Sequence, residues 1–129
     1  MQYWHTEQQD GVFVAGYYNP PTNYMIGPGI AELGELIARW REPDVKAVVL
    51  TGAVPDRYIT HYSVEELVAM DGDREALTRA AHGLIYGYHT LLRSLAWLDK
   101  PIVVGMTGDT MGCGLELSLN CDIRVAQRG

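Results

Sequence analysis

Between Lys100 and Ala126 the chain reads KPIVVGMTGDTMGCGLELSLNCDIRVA, and that stretch decides the fold. Pro101–Met106 is a short apolar run with the look of a buried strand. A glycine-rich turn follows, a helix is expected from about Gly112, and CDIRVAQ reads as a further strand. Strand, turn and helix in succession indicate an α/β protein whose sheet is covered by helices, and ligand sites in such proteins gather where strands end and helices begin. The turn spends Gly108, Gly112 and Gly114, and the helix then places one carboxylate, Glu116, among leucines. Glycine lets a ligand atom approach the main chain and permits positive φ. The first amides of a helix have no internal partners and point outward with the positive end of the dipole, so this turn suits an anion or a developing oxyanion. No GxxxxGK[ST] is present, and Leu117 takes the third glycine position of a GxGxxG, so neither phosphate-binding motif is met. On local physics alone, turn glycines and a dipole-complementing Glu116 remain the plainer reading.

The same grammar runs upstream. A first short strand over Gln2–Glu7 and a second over Gly11–Asn19 flank a turn, and NPPTN breaks regular structure. Ile30, Leu33, Ile37 and Trp40 recur at helical spacing from Pro28, and Pro43 ends that helix. Lys46–Gly52 (KAVVLTG) reads as a strand buried on both faces, and RYIT as a brief β-like piece. Ser63 and Glu66 make a capping box. After DGD, the longest helix is expected over about Arg74–Leu98, with Leu77, Leu84, Leu91 and Leu98 as its stripe and Ala81, Tyr88 and Leu95 beside it.

Composition narrows the function. The chain has 129 residues, 47% of them apolar, which suits a single domain with a modest core. Ten Lys and Arg against sixteen Asp and Glu give a net charge of −6, which argues against a nucleic-acid binder and leaves an anionic ligand to local donors. No apolar run approaches the roughly 20 residues that cross a bilayer, and MQYWHTEQQD lacks signal-peptide grammar, so a cytoplasmic setting is expected. Cys113 and Cys121 fit neither a redox pair nor a zinc pair, and no two of His5, His61, His82 and His89 share a ligand spacing, so no metal site is expected. Trp4, Trp40 and Trp97 read as packing residues, Gly87 between Tyr86 and Tyr88 as a point of close helix approach, and His82 and His89 as a solvated or subunit-facing pair.

The Lys100–Ala126 stretch resembles the signature of the crotonase superfamily, the enoyl-CoA hydratase/isomerase family: a Lys-Pro strand, a glycine-rich turn, a Glu, then a CDIRVA strand. NPPTN resembles the family's early Asn-Pro turn, and EPDVKAVVLTGA its strand ending in Thr-Gly, in the same order over nearly the whole chain. The resemblance implies a crotonase-like spiral of repeated ββα units, of which residues 1–129 are a single N-terminal core. Family members are about twice as long, so the chain is expected to be an N-terminal half or a truncated member. It also implies an acyl-CoA thioester substrate, with coenzyme A entering as part of the substrate and no separate cofactor. Trimers or hexamers of the chain are implied as well.

Carried over residue by residue, the backbone N–H groups of Tyr62 and Cys113 form the oxyanion hole, and Glu116 falls on the first of two catalytic glutamates of hydratases. Thr60 and His61 replace the usual Ala-Gly; with Gly112 they are expected at the substrate, His61 either as a loop histidine or with its imidazole near the thioester. The implied reaction is hydration of a trans-2-enoyl-CoA, with Glu116 activating water in an apolar surround of Leu115 and Leu117. The second acid is expected beyond Gly129, and Asp109 reads as a polar loop residue. A double-bond isomerase and a non-catalytic acyl-CoA-binding module are the alternatives.

Overall fold

A computed structural model of the chain describes residues 1–69 and 74–128. The turn expected over 71–73, and the side chains of Leu77 and Ala81 from the expected stripe, lie outside the described residues. The hairpin of β1 (Trp4–Gln9) and β2 (Val12–Tyr17) turns on Asp10 and Gly11, both at positive φ (52° and 87°). That Asp-Gly pair matches the right-handed twist of the flanking strands and sets both strands one or two residues away from the expected bounds. The chain continues through α1 (Gly27–Trp40), with Pro28 in its first turn, then β3 (Ala47–Gly52), α2 (Val64–Ala69) and α3 (Arg74–Ala96). It closes with β4 (Ile102–Met106), α4 (Cys113–Leu119) and β5 (Ile123–Ala126). RYIT forms no strand; Arg57 and Tyr62 make only isolated bridges.

The five strands lie in sequence order, β1 antiparallel to β2 and every later pair parallel. Parallel neighbours need crossovers, and α1, the α2–α3 pair and α4 supply them. Strand side chains alternate between faces. Phe13, Ala15 and Tyr17, Val48 and Leu50, and Ile102 and Val104 share the face that is buried with Leu33, Leu36, Ile37 and Trp40 of α1, Leu92 and Leu95 of α3, and Leu117 of α4. The residues between them in β3 and β4, such as Val49 and Val103, are only half-buried. The expectation of strands buried on both faces is therefore corrected: the described helices cover one face.

On α3 the residues expected beside the leucine stripe lie deeper than the stripe itself. Tyr88, Leu92 and Leu95 are buried, whereas Leu84, Leu91 and Leu98 are half-buried. Tyr88, Leu92 and Leu95 form the innermost i, i+4, i+7 face, and Leu91 and Leu98 pack against the core from beside it. Trp97 is 79% exposed with the Arg93 guanidinium 5.9 Å from its ring, so it is no core residue. Gly87 has no atom near its missing side chain and makes no close helix approach. Trp4 and Trp40 are buried as expected. No described helix is long and apolar enough to cross a membrane.

Candidate active site

The segment Tyr58–Tyr62 has no regular structure, so side chains hold it. Tyr58 and Ile59 are fully buried. The buried Asn23 amide donates to the Tyr17 and Tyr58 carbonyls, each at 3.1 Å, and its Oδ1 accepts the Asn19 N–H at 2.7 Å. Asn23 thus ties the end of β2 to this segment, with its backbone at φ 57° as asparagine tolerates. The Met25 N–H donates to the His61 carbonyl (2.7 Å), and the Ser63 N–H to the Met25 carbonyl (2.8 Å). In that parallel bridge the N–H of the residue between, Tyr62, points to the other side, where no described group accepts it.

The glycine turn docks against this segment. The Met111 N–H donates to the Thr60 carbonyl (2.7 Å), and the Thr110 hydroxyl to the Ile59 carbonyl (2.7 Å). A Cβ on Gly114 would sit 2.1 Å from the Ile59 carbonyl oxygen, so only glycine permits this approach. Its bareness serves the packing of two backbone segments. Gly112 precedes α4 at φ 50°, a conformation glycine adopts without strain. Cys113 opens α4, and its N–H likewise has no acceptor among the described residues. The Tyr88 hydroxyl donates to the Cys113 carbonyl (2.5 Å), and the Ser118 hydroxyl to the Gly114 carbonyl (2.8 Å), fixing the first turn.

Tyr62, Cys113 and Glu116 border one cavity of about 350 Å³. Ile30, Leu67, Leu84 and Ile85 form its apolar wall, and Tyr88 and His89 of α3 complete it. The apolar setting expected from Leu115 and Leu117 is corrected. Successive helix residues point about 100° apart, so Leu117 lies in the core, Leu115 is 39% exposed, and Glu116 is itself exposed at the cavity rim. What apolar surface it meets comes from other helices. Burial, and after it the Glu116 carboxylate, pushes the Cys113 thiol up to about 12. Burial also raises the Tyr62 and Tyr88 phenols well above the usual range, with the Glu66 carboxylate adding to the effect on Tyr62.

The capping box forms by half. Ser63 Oγ accepts the Glu66 N–H (3.3 Å), but the Ser63 N–H is already spent on Met25. The Glu66 carboxylate instead accepts the Tyr62 hydroxyl (2.5 Å) and the Gly27 N–H (3.0 Å), anchoring the Tyr62 ring to the start of α1. Of the remaining expected substrate residues, none borders the cavity. The Thr60 hydroxyl donates to the Thr22 carbonyl (2.9 Å). The His61 ring stacks on Tyr24 at 4.2 Å, with Nδ1 2.6 Å from the Tyr62 carbonyl oxygen, and Gly112 only shapes the turn. Among the described residues no three His, Cys, Asp or Glu side chains cluster as metal ligands. Sequence reasoning missed Asn23, the positioning role of Tyr88, and His89. The signal for His89 is its i, i+4 spacing from Ile85, parallel to Leu84 and Tyr88, which puts all four on one helix face.

A strand, a bare-backbone turn and a short helix carrying a carboxylate toward an apolar cavity define a class of fold, and the comparisons agree on which. Residues 7–129 match the enoyl-CoA hydratase/isomerase family, and the chain belongs to that family, the crotonase superfamily. It is similar to the short-chain-enoyl-CoA hydratase of Clostridium acetobutylicum, 29% identical over 87 residues that make up 66% of this chain and 30% of that protein. It is also similar to a 4-chlorobenzoyl coenzyme A dehalogenase-1 of Arthrobacter sp, 32% identical over 123 residues, covering 92% of this chain and 43% of that one. The fold overlays an enoyl-CoA hydratase from Bacillus anthracis with a TM-score of 0.86 at 21% identity, over 97% of this chain and 47% of the other. The chain thus spans less than half the length of each of these three relatives.

Proposed function

We propose that the whole protein hydrates a trans-2-enoyl-CoA to the 3-hydroxyacyl-CoA. The observation that carries this reading is the convergence of Tyr62, Cys113 and Glu116 on one apolar-walled cavity, with two amides that have no acceptor among the described residues. Attack of water at C3 of the conjugated thioester moves an electron pair to the carbonyl oxygen. The Tyr62 and Cys113 N–H groups are the donors for that oxygen, each contributing about 3–4 kcal/mol by the measure of known oxyanion donors. Glu116 takes the proton of the attacking water. Coenzyme A enters as part of the substrate, and no separate cofactor takes part in any of these steps. Trimers or hexamers of the whole protein are proposed from its family membership.

The test is to supply crotonyl-CoA to the whole protein and follow the conjugated thioester absorbance. The expected result is a decline that slows about a thousandfold in Glu116→Gln. No decline, against an active hydratase control, rejects hydration. Tight CoA-thioester binding by calorimetry with no turnover selects a non-catalytic module, and movement of the double bond without hydration selects an isomerase.

A further inference from the structure

We infer that Glu66 is a positioning residue: by tying the Tyr62 ring to the start of α1, it fixes the direction in which the Tyr62 N–H faces the cavity. The inference rests on the reading of that N–H as an oxyanion donor and deepens it. Glu66 does not itself border the cavity, so it acts through Tyr62. The backbone alone leaves Tyr62 a freedom that matters here. The Met25 N–H holds the His61 carbonyl (2.7 Å) and the Ser63 N–H holds the Met25 carbonyl (2.8 Å), both on one edge of the isolated parallel bridge. A bridge of two bonds works as a hinge. The residue between can rock about the line through them, and its N–H, on the far edge, swings with it.

A third point of attachment removes that freedom. The Tyr62 hydroxyl donates to Glu66 Oε2 at 2.5 Å, and the same oxygen accepts the Gly27 N–H at 3.0 Å. The contacts close a ring. The Tyr62 backbone is bridged to Met25, Met25 runs through Ile26 to Gly27, Gly27 bonds Glu66, and Glu66 holds the Tyr62 hydroxyl. Peptide and side chain of Tyr62 are thus fastened to the same stretch, Met25 to Gly27, and neither moves without the other. That stretch is itself firm, because α1 opens at Ile26 with no side-chain cap of its own and no acidic residue in its first turn. The Glu66 carboxylate serves those unpaired amides and the positive end of the helix dipole from outside the helix. Burial and the Glu66 contact keep the Tyr62 phenol protonated, so it remains the donor in the tie.

The consequence falls on the transition state. A hydrogen bond weakens steeply once misaligned, and an oxyanion donor contributes most when negative charge has developed on the oxygen. A Tyr62 free to rock therefore loses more at the enolate than at the resting thioester, which lowers kcat and leaves binding nearly intact. The Cys113 donor does not share the defect, because Tyr88 and Ser118 fix the first turn of α4 independently.

The test uses the whole protein and its Tyr62→Phe, Glu66→Ala and Glu66→Gln variants. It measures kcat and KM with crotonyl-CoA, and the infrared carbonyl stretch of bound butyryl-CoA labelled with carbon-13 at the thioester. Tyr62→Phe keeps the Glu66–Gly27 bond and breaks only the tie to the ring, so it decides the matter even where Glu66→Ala fails to fold. Tyr62→Phe should lower kcat about tenfold, leave KM within about threefold, and remove about half of the downward shift that two amide donors impose on the carbonyl stretch. Glu66→Ala should do the same. Glu66→Gln still offers an acceptor oxygen, and should keep kcat within about threefold of the unsubstituted protein. An unchanged kcat and carbonyl stretch in Tyr62→Phe overturn the inference while leaving hydration standing. A rise in KM with an unchanged stretch assigns the pair to the cavity wall and overturns it equally. Absence of hydration by the unsubstituted protein removes the hydratase reading alone, because the carbonyl stretch still reports on the donor: a halved shift in Tyr62→Phe supports the inference and a full one overturns it. No shift in the unsubstituted protein overturns both.

Discussion

The two segments that bracket the cavity reach their places by opposite means. Gly112–Gly114 is held by bare backbone: a positive φ at Gly112, and a Gly114 pressed against the Ile59 carbonyl. Tyr58–Tyr62 contains no glycine and no regular structure, and is held largely by side-chain bonds: the Asn23 amide and the Glu66 carboxylate reach it from elsewhere, and its own Thr60 hydroxyl donates to the Thr22 carbonyl. The Cys113 amide thus depends on a close backbone approach that only glycine permits, with Tyr88 and Ser118 fixing the turn, whereas the Tyr62 amide depends on no glycine. The lesson is that two amides aimed at one cavity need not share a structural cause, and they should fail differently when disturbed.

The sharpest break is Gly114→Ala. The new Cβ meets a backbone oxygen that cannot yield as a flexible side chain would. Stability of the whole protein, read from urea unfolding, should drop by about 3 kcal/mol or more, and hydration should be lost with it. A loss under about 1 kcal/mol would show that the turn has room the geometry denies it. Next is Asn23→Ala, which strands the buried Tyr58 carbonyl, while the Tyr17 carbonyl keeps the Ala53 N–H, and should cost about 2 kcal/mol in the same measurement. Here the Cys113 side of the site should survive while the Tyr62 side loosens, so thioester binding should weaken more than folding alone predicts. If Asn23→Ala and Gly114→Ala weaken stability and binding in the same proportion, the contrast between the two segments is wrong.

How legible the two segments were follows from the same contrast. The glycine turn, Glu116 and the β4–α4–β5 order stood out because backbone demands are written locally, as glycine, and because short apolar runs mark strands. The opposite segment was placed only through family resemblance. Its local sequence carries no sign that Asn23, about 35 residues earlier, would hold it. RYIT read as β-like because Tyr and Ile favour strands, yet in the fold those side chains are buried one after the other in a coil. The apolar side of α3 was legible, but not its centre: the leucines at 84, 91 and 98 are half-buried, while Tyr88, Leu92 and Leu95 beside them reach the core. The surround of Glu116 was misread for a related reason: sequence neighbours on a helix face different ways, so Leu117 went to the core while Ile85 and Tyr88 of α3 came to the cavity.

A separate effect, confined to alkaline pH, bears on the burial of the two thiols. Burial pushes the Cys113 and Cys121 thiols up to about 12, whereas in the unfolded chain each titrates near 9.0. An acid whose folded value is raised leaves stability intact below the unfolded value and erodes it above. Stability should therefore be flat below pH 9 and fall as pH rises toward about 12, with the buried tyrosines extending the decline. Alkylation of both thiols in the native protein at pH 8 should be slow and become fast in urea. Rapid native labelling of Cys113 would mean that the first turn of α4 is looser than the Tyr88 contact implies.

The most direct measurement of the central claim is a crystal structure of Glu116→Gln, expected to turn over about a thousandfold more slowly, with crotonyl-CoA bound. The account predicts the thioester oxygen within about 2.7–3.1 Å of both the Tyr62 and the Cys113 amide nitrogens, and C3 facing the residue at 116. A thioester oxygen held by one amide alone, or by neither, would contradict it.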